Sequence, residues 1–269
     1  MVNRINNPYL FCNAEVQSKL IESQPSLVLW VSKEEKELLA EADRAIQQVK
    51  TFLPHAVNRV SDLNKLEYPD LLQAFWRGRH ALDECPHLLQ EMGKNTAQNL
   101  CHVSAEIVKR TGVGNCGERA LFVAHLMIDA LPPTAKIRVI DHKVWEHQYV
   151  LVEAENCRPV VVDAWPPEAQ AVLFVDHFLT AGEDVPEVEG THICSYGDRG
   201  ESEEEALDRF LNSDDTWIGP LVDLLLRNAD EKVADGKKRG ELGFPAVEPT
   251  AFNSTVYCSV QCRPVVYEV

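Results

Sequence analysis

Three short runs rich in valine and isoleucine lie close together in the middle of this chain, and they constrain its fold more than any other feature. The runs are KIRVID at 136–141, HQYVLVE at 147–153 and RPVVVDAW at 158–165. β-branched residues favour strands, and links this short join antiparallel neighbours, because a parallel pair needs a long crossover. We therefore expect an antiparallel sheet, with Glu155–Asn156 as a tight turn between the second and third strands.

Helices are predicted on both sides of these strands, from apolar residues at helical spacing and from their start and stop signals. The predicted helices cover 33–53, 69–85, 97–110, 116–131, 202–211 and 218–233. The fold class is thus α+β, with a helical N-terminal region over 1–95 and a second region over 96–269.

The remaining segments carry weaker patterns. Residues 168–180 are apolar enough for either a helix or a strand, whereas polar and turn-forming residues predict a surface loop over 182–201. An exposed link is expected at 235–240, and the tail from Ser254 onward predicts strands at a sheet edge. Residues 1–32 are interpreted as an arm that ends in the apolar piece LVLWV.

Charge and composition exclude several classes of partner. The formal net charge of −16 argues against nucleic acid or an anionic membrane as the main partner, since both need a basic surface. We expect no membrane span, because no apolar run approaches the roughly 20 residues that one requires. The start of the chain shows no secretory signal pattern, so the eight cysteines are interpreted as reduced thiols. A cytoplasmic location follows, or delivery into a host cytosol without a cleavable signal peptide.

The segment GVGNCGERA at 112–120 places Cys116 between small residues at the start of an apolar helix. Unpaired amide N–H groups and partial positive charge at a helix N-terminus favour a thiolate. We expect Gly114 and Gly117 to leave room for a substrate near the sulfur. Cys116 is therefore the candidate nucleophile.

His147 and Asp163 are the candidate base and acid, because each lies on one of the predicted strands. An imidazole takes and returns the proton of a thiol, and a carboxylate fixes its tautomer and supports the imidazolium. Antiparallel pairing through a turn at 155–157 predicts that the two residues lie directly opposite on one face. His142 is the rival base; on one continuous strand it would face opposite to His147 and lie out of register with Asp163.

These three motifs resemble the core of the transglutaminase-like and papain-like superfamily over roughly residues 96–167. GNCGERALF is similar to its nucleophile motif, HQYVLVE to the strand that carries the base, and VVVDAW to the strand that carries the acid. The superfamily includes transglutaminases, peptide N-glycanases, arylamine N-acetyltransferases and bacterial effector deamidases. The resemblance implies a nucleophile helix packed on an antiparallel sheet, a catalytic domain over 96–269, and a thioester formed when the thiolate attacks an amide or acyl carbon.

Within that superfamily, the helical N-terminal region and the acidic charge are most similar to bacterial effector or toxin deamidases. Gly117 stands where transglutaminases usually have an aromatic residue, and the paired zinc-binding cysteines of peptide N-glycanases are not found. The resemblance implies deamidation of a glutamine-bearing protein substrate, with an activating host or chaperone partner left open. Cysteine protease, transglutaminase, acyl or acetyl transferase and a catalytically dead binding module are the alternatives.

The remaining site predictions concern the oxyanion hole and metals. The backbone N–H of Cys116 is expected to form the hole together with Asn115 or Gln98, although Asn115 can instead cap the helix. Trp165 either walls the substrate channel or packs in the core. No cofactor motif is found. The His/Cys pairs near one another in the sequence (85/87, 101/102, 192/194 and 258/262) lack zinc-site spacing, so no metal is predicted.

Overall fold

The predicted α+β class is confirmed by the elements of the computed structural model. It describes residues 27–57, 68–132, 134–142, 147–166, 169–177, 195–196, 215–239 and 265–269. The helices in this part of the chain are α1 (Lys33–Phe52), α2 (Tyr68–Glu91), α3 (Ala97–Thr111), α4 (Cys116–Ala130) and α5 (Ile218–Arg239). The strands are β1 (Leu27–Trp30), β2 (Lys136–His142), β3 (His147–Glu153), β4 (Val160–Val162), β5 (Val172–Leu173), β6 (Ser195–Tyr196) and β7 (Val265–Glu268).

The central strands form one antiparallel sheet in the order β5-β4-β3-β2-β6. The predicted turn at 155–156 is confirmed, and Asn156 adopts φ 58°, a left-handed conformation that asparagine tolerates. Residues 195–196 lie within the predicted surface loop but pair with β2, so that prediction is wrong there. The ambiguous stretch at 168–180 contains β5 and a short 3₁₀ turn at Phe174–Asp176.

Local sequence signals explain where the helices begin and end. Ser32 caps α1 by accepting from the backbone N–H of Glu35, whose carboxylate accepts from the backbone N–H of Ser32 in return. Thr96 caps α3 through the N–H of Asn99. Gly112 ends α3 at φ 70°, where a residue with a Cβ would be strained. These caps explain why the predicted starts and ends of α1 and α3 agree with the structure.

Two helices are longer than predicted. Helix α2 continues through Pro86 to Glu91, because Cys85 and Leu89 are buried against α5 and the packing outweighs the amide lost at proline. Helix α5 runs to Arg239, so the link predicted from residue 235 is wrong over 235–239. Three basic residues in its last turn complement the negative end of the helix dipole. The predicted helix over 202–211 lies outside the described residues.

The tail strand does not extend the central sheet. Instead, β7 pairs in parallel with β1, so the two chain segments form a separate two-stranded sheet. The rest of the predicted tail, before residue 265, lies outside the described residues, as does the predicted arm up to residue 26.

The two faces of the central sheet have different partners. Even-numbered residues of β3 and β4, such as Val150 and Val162, pack with α1, α3 and α4 in the larger hydrophobic core. Odd-numbered residues, such as Tyr149 and Val161, form a smaller cluster on the other face. The larger core draws on residues from both sides of the proposed boundary at 95/96, and the division into two regions stays a prediction. No described helix is long and apolar enough to cross a bilayer.

Candidate active site

A short loop between α3 and α4 sets the position of Cys116, the first residue of α4. Val113 forms an isolated bridge with His55, and the N–H of Gly114 donates to the His55 carbonyl at 3.3 Å. The N–H of Asn115, the N-cap residue, donates to the Glu118 carboxylate at 2.8 Å. Cys116 therefore starts its helix from a loop held by hydrogen bonds on both sides.

The space at the two glycines of this motif is taken by the protein itself. A Cβ on Gly114 would lie 2.7 Å from the Cβ of Glu118, and a Cβ on Gly117 would lie 2.8 Å from the side-chain oxygen of Gln148. The expected approach of a substrate to the sulfur beside these glycines stays a prediction. The two glycines allow the close approach of the helix start to its neighbours.

His147 and Asp163 meet across β3 and β4, although not in the predicted register. Leu151 pairs with Val161, so Asp163 lies two residues away from the position directly opposite His147. The link between the strands is longer than the predicted turn, and side chains alternate with a period of two, so this shift keeps both residues on one face. His147 Nε2 lies 2.7 Å from Asp163 Oδ2.

Burial and charge oppose each other at His147. The residue is only 3% exposed, and this burial lowers the pKa of the imidazole, but Asp163 and a hydrogen bond with Cys116 outweigh it and raise the pKa to about 10. Burial likewise raises the pKa of Asp163, yet the charges and hydrogen bonds of the two nearby histidines hold it well below its usual range. At neutral pH the pair is thus an imidazolium and a carboxylate.

Cys116 is the accessible member of this group. Its side chain is partly exposed and packs at the border of the smaller hydrophobic cluster, while His147 and Asp163 are buried. The structure therefore brings together the three side chains that were predicted to form the site, in the order thiol, imidazole and carboxylate.

Asp163 is held from several sides. Its Oδ1 accepts the backbone N–H of Trp165 at 3.0 Å, while its Oδ2 faces His147. The Trp165 ring contacts the His147 ring edge-on, with centroids 5.6 Å apart, and is buried in the cluster. Trp165 thus packs against the imidazole from the core side.

A second histidine, His177, approaches the same carboxylate and was missed by sequence reasoning. Its Nε2 lies 3.7 Å from Asp163 Oδ2, and its ring lies 5.1 Å from the ring of Tyr149. Burial and the nearby His147 charge lower the pKa of His177, and the Asp163 carboxylate opposes this shift without cancelling it. The only available signal was a polar residue in the apolar run 168–180, and nothing in its spacing connects it to Asp163.

Arg119, also missed by sequence reasoning, ties the flanking segments together. It lies one turn after Cys116 and is 1% exposed. Its guanidinium group donates to the carbonyl oxygens of Gly114 (2.9 Å), His55 (2.9 Å) and Ala164 (3.3 Å), and of Leu53. The nucleophile loop and the residue after Asp163 are therefore anchored to one buried side chain.

The other predicted site residues have different positions. Asn115 occupies the N-cap position, in agreement with the capping alternative. Gln98 lies in the first turn of α3, about 20 Å along that helix from the end nearest Cys116, so the structure does not bring it to the sulfur. His142 pairs with His147 across the β2–β3 hairpin, so the assumption of one continuous strand is wrong. The side chain of His142 lies outside the described residues.

This arrangement can perform nucleophilic chemistry, because a partly exposed thiol contacts an imidazole that a buried carboxylate orients. Among the described residues, the one cluster of three side chains with suitable spacing for a metal ion excludes all three members of this site. No protein-family model, curated protein or solved structure matches this chain. The reaction at Cys116 is therefore inferred from the geometry of the site.

Proposed function

We propose that this chain is a cysteine-nucleophile enzyme that hydrolyses carboxamides, with the side chains of protein glutamines as substrates. The observation that carries the proposal is the joint arrangement of Cys116, His147 and Asp163 where β3 begins and β4 ends. A papain- or transglutaminase-like core, in which the nucleophile helix packs on an antiparallel sheet, is part of the same proposal. The packing of α4 against β2 and β3 supports it.

The charge state of His147 supports a mechanism in which its imidazolium donates a proton to the leaving nitrogen. The raised pKa of His147 keeps the imidazole protonated at neutral pH. Because Nε2 of His147 contacts the Asp163 carboxylate, Nδ1 is the ring atom of His147 that would face the sulfur of Cys116. In this mechanism Asp163 stays ionised throughout and holds the ring in place.

In the first half of the reaction, the Cys116 thiolate attacks the carboxamide carbon and forms a C–S bond. The negative charge moves to the carboxamide oxygen, where the N–H of Cys116 at the helix start can stabilise it. As the tetrahedral intermediate collapses, the C–N bond breaks and His147 gives its proton to the leaving nitrogen. Ammonia departs, leaving a thioester and a neutral imidazole.

In the second half, neutral His147 takes a proton from a water molecule, which attacks the thioester carbon. The C–S bond breaks with return of the electron pair to sulfur. The products are a glutamic acid side chain and the original thiolate–imidazolium pair, and no external oxidant or cofactor is consumed.

Ammonia release from glutamine-rich proteins tests this reaction, with product sites located by mass spectrometry. We expect release by the natural chain and by Cys157→Ala, whose thiol is also partly exposed but lies far from His147 in the turn after β3. Cys116→Ala should release none. Cleaved peptide bonds without ammonia would show that the enzyme is a protease instead of a deamidase. Incorporation of an added amine would show that it is a transglutaminase.

Thiol alkylation separates an enzyme from a binding module without knowledge of the substrate. We expect Cys116 to react first among the described thiols, because burial raises the pKa of Cys85 to about 12 and also raises the pKa of Cys157. His147→Ala should slow the labelling of Cys116 and leave that of Cys157 unchanged. Equal labelling of Cys116 and Cys157 in the natural chain would overturn the proposal.

A further inference from the structure

A second polar group lies on the surface formed by α3 and α4, away from Cys116. It contains His102 from α3 together with His125 and Asp129, which are one turn apart on α4. His125 is nine residues beyond Cys116, which corresponds to about 14 Å along the helix axis. The two groups therefore occupy different ends of α4.

The donor atoms of this group are as close together as metal ligands. His102 Nε2 lies 3.3 Å from Asp129 Oδ1, and His125 Nδ1 lies 3.6 Å from Asp129 Oδ2. One donor atom from each residue can be chosen so that all three lie within 4.8 Å of one another. Ligands of tetrahedral zinc at bond lengths of about 2.1 Å lie about 3.4 Å apart, so small side-chain rotations suffice to enclose an ion.

One buried nitrogen atom of this group lacks a hydrogen bond to any described residue. His125 Nδ1 is buried and has no hydrogen-bond partner among the described residues, since 3.6 Å to the carboxylate is too long. The two imidazole rings meet edge to face with centroids 4.4 Å apart. A cation between the three side chains would give this nitrogen a ligand bond and neutralise the carboxylate.

We propose that His102, His125 and Asp129 bind a divalent transition-metal ion of the zinc type. Two imidazoles and one carboxylate suit zinc, cobalt and nickel, whereas calcium and magnesium prefer all-oxygen sites. The side chain of Asp129 is 44% exposed, so an ion can enter from solvent and water can complete its coordination. The nearby Glu106 carboxylate is paired with Lys109 at 3.2 Å and Arg110 at 3.0 Å, which makes three protein ligands the expected number.

The site has a structural consequence for the helix pair. Since α3 and α4 each supply at least one ligand, a bound ion links the two helices at the end of the hairpin opposite the Cys116 loop. Binding to the folded form alone stabilises it in proportion to the free metal concentration over the dissociation constant. The chain should therefore unfold at a higher temperature in the presence of zinc.

Titration of the full chain with Co²⁺ tests the site, because the visible spectrum of cobalt reports its ligands. We expect one equivalent to bind with weak nitrogen- and oxygen-type bands and without the intense charge-transfer absorption of thiolate ligands. His125→Ala and Asp129→Asn should each weaken binding at least about tenfold, because even the loss of an outer partner costs that much. Asp129→Asn changes an exposed carboxylate, so circular dichroism should report an unchanged fold.

His87→Ala is the matched control, because His87 is an exposed histidine on α2 outside the group. Cys116→Ala should bind cobalt as the natural chain does, so failure of the metal site and failure of the catalytic proposal are distinguishable. Undiminished binding by both His125→Ala and Asp129→Asn, a thiolate spectrum, or no binding at all would each overturn the metal site.

Discussion

A group with a histidine and an aspartate lies near each end of helix α4, and the two groups differ in charge. At its start, His147 and Asp163 from the sheet lie beside Cys116, and the pKa of His147 is raised to about 10. Near its end, burial lowers the pKa of His125 to about 4, although Asp129 is one turn away. A histidine and an aspartate thus form an ion pair at the start of α4, whereas the histidine of the group near its end is a neutral imidazole.

The position of the carboxylate accounts for this difference. Burial lowers the pKa of both histidines, so the acid must outweigh it. Asp163 is 2% exposed and lies 2.7 Å from the ring, where little water screens its charge. Asp129 lies 3.6 Å from His125 and is exposed, and the charge of His102 opposes protonation further.

The comparison connects charge to chemistry. An imidazolium can donate a proton to a leaving amine, as the proposed deamidation requires, whereas a neutral imidazole can offer a lone pair to a metal ion. The distance and burial of the acid, rather than the presence of a histidine and an aspartate, therefore separate a candidate acid–base residue from a candidate ligand.

Replacement of the two histidines should give the largest contrast. We expect His147→Ala to reduce ammonia release about 10³-fold or more, because the proton donor and the partner of the thiolate are lost together. His125→Ala should release ammonia at the natural rate under metal-free conditions. Equal losses in the two variants would contradict the assignment of catalysis to the start of α4.

Replacement of Asp163 should lower the free energy of unfolding more than replacement of Asp129. Asp163→Ala should lower the free energy of unfolding by about 3–5 kcal/mol, because it leaves a buried histidine without its counter-charge. Asp129→Ala should lower it by less than about 1 kcal/mol, since an exposed pair contributes little. Urea unfolding measures both, and Asp163→Asn, which leaves no cavity, separates lost charge from lost packing. Similar losses for the two alanine variants would refute the electrostatic explanation.

The smallest effect, per pH unit, is the slope of the unfolding free energy against pH. The folded pKa of His147 lies above its unfolded value, so its stabilisation is complete below about pH 6.5 and is lost as the pH rises toward 10. The folded pKa of His125 lies below its unfolded value, so its contribution is present above about pH 6.5 and is lost as the pH falls toward 4. Each slope is at most about 1.4 kcal/mol per pH unit.

Unfolding curves of the natural chain, His147→Gln and His125→Gln, recorded with a chelator, isolate these slopes from those of other titrating groups. Above the acid range in which Asp163 titrates, the difference between the natural chain and His147→Gln should change with pH only on the alkaline side. The corresponding difference for His125→Gln should change only on the acid side. The same pH dependence for both differences would show that the two histidines have similar environments.

Alternation and helix spacing explain how much of the site could be predicted. Two-residue alternation placed His147 and Asp163 on one face of the sheet. The observed register differs from the predicted one by two residues, so both side chains remain on that face. A shift of one residue would have separated them, and the link between the strands, which decides the register, carries no pattern that gives its length.

Other parts of the two groups could not be predicted, because their residues come from segments that sequence spacing does not relate. His177 reaches Asp163 from the segment after β5, and Arg119 joins carbonyl groups from three separate segments. His102 and Asp129 are 27 residues apart, so sequence spacing does not connect His102 to the pair that His125 and Asp129 form on α4. Sequence spacing likewise did not show that the side chain of Gln148, on the neighbouring strand, lies against Gly117.

The sequence by itself determined the α+β class, the starts of α1, α3 and α4, the antiparallel order of β2 to β4 and the three candidate residues of the active site. These features follow from local periodicity, capping residues and alternation, which act over a few neighbouring positions. The tertiary structure alone decided the strand register, the charge states of the histidines and the meeting of α3 with α4 at His102. Those depend on which distant atoms pack together and on how much water is removed around them, because the energy of a charge varies with its burial and its partners.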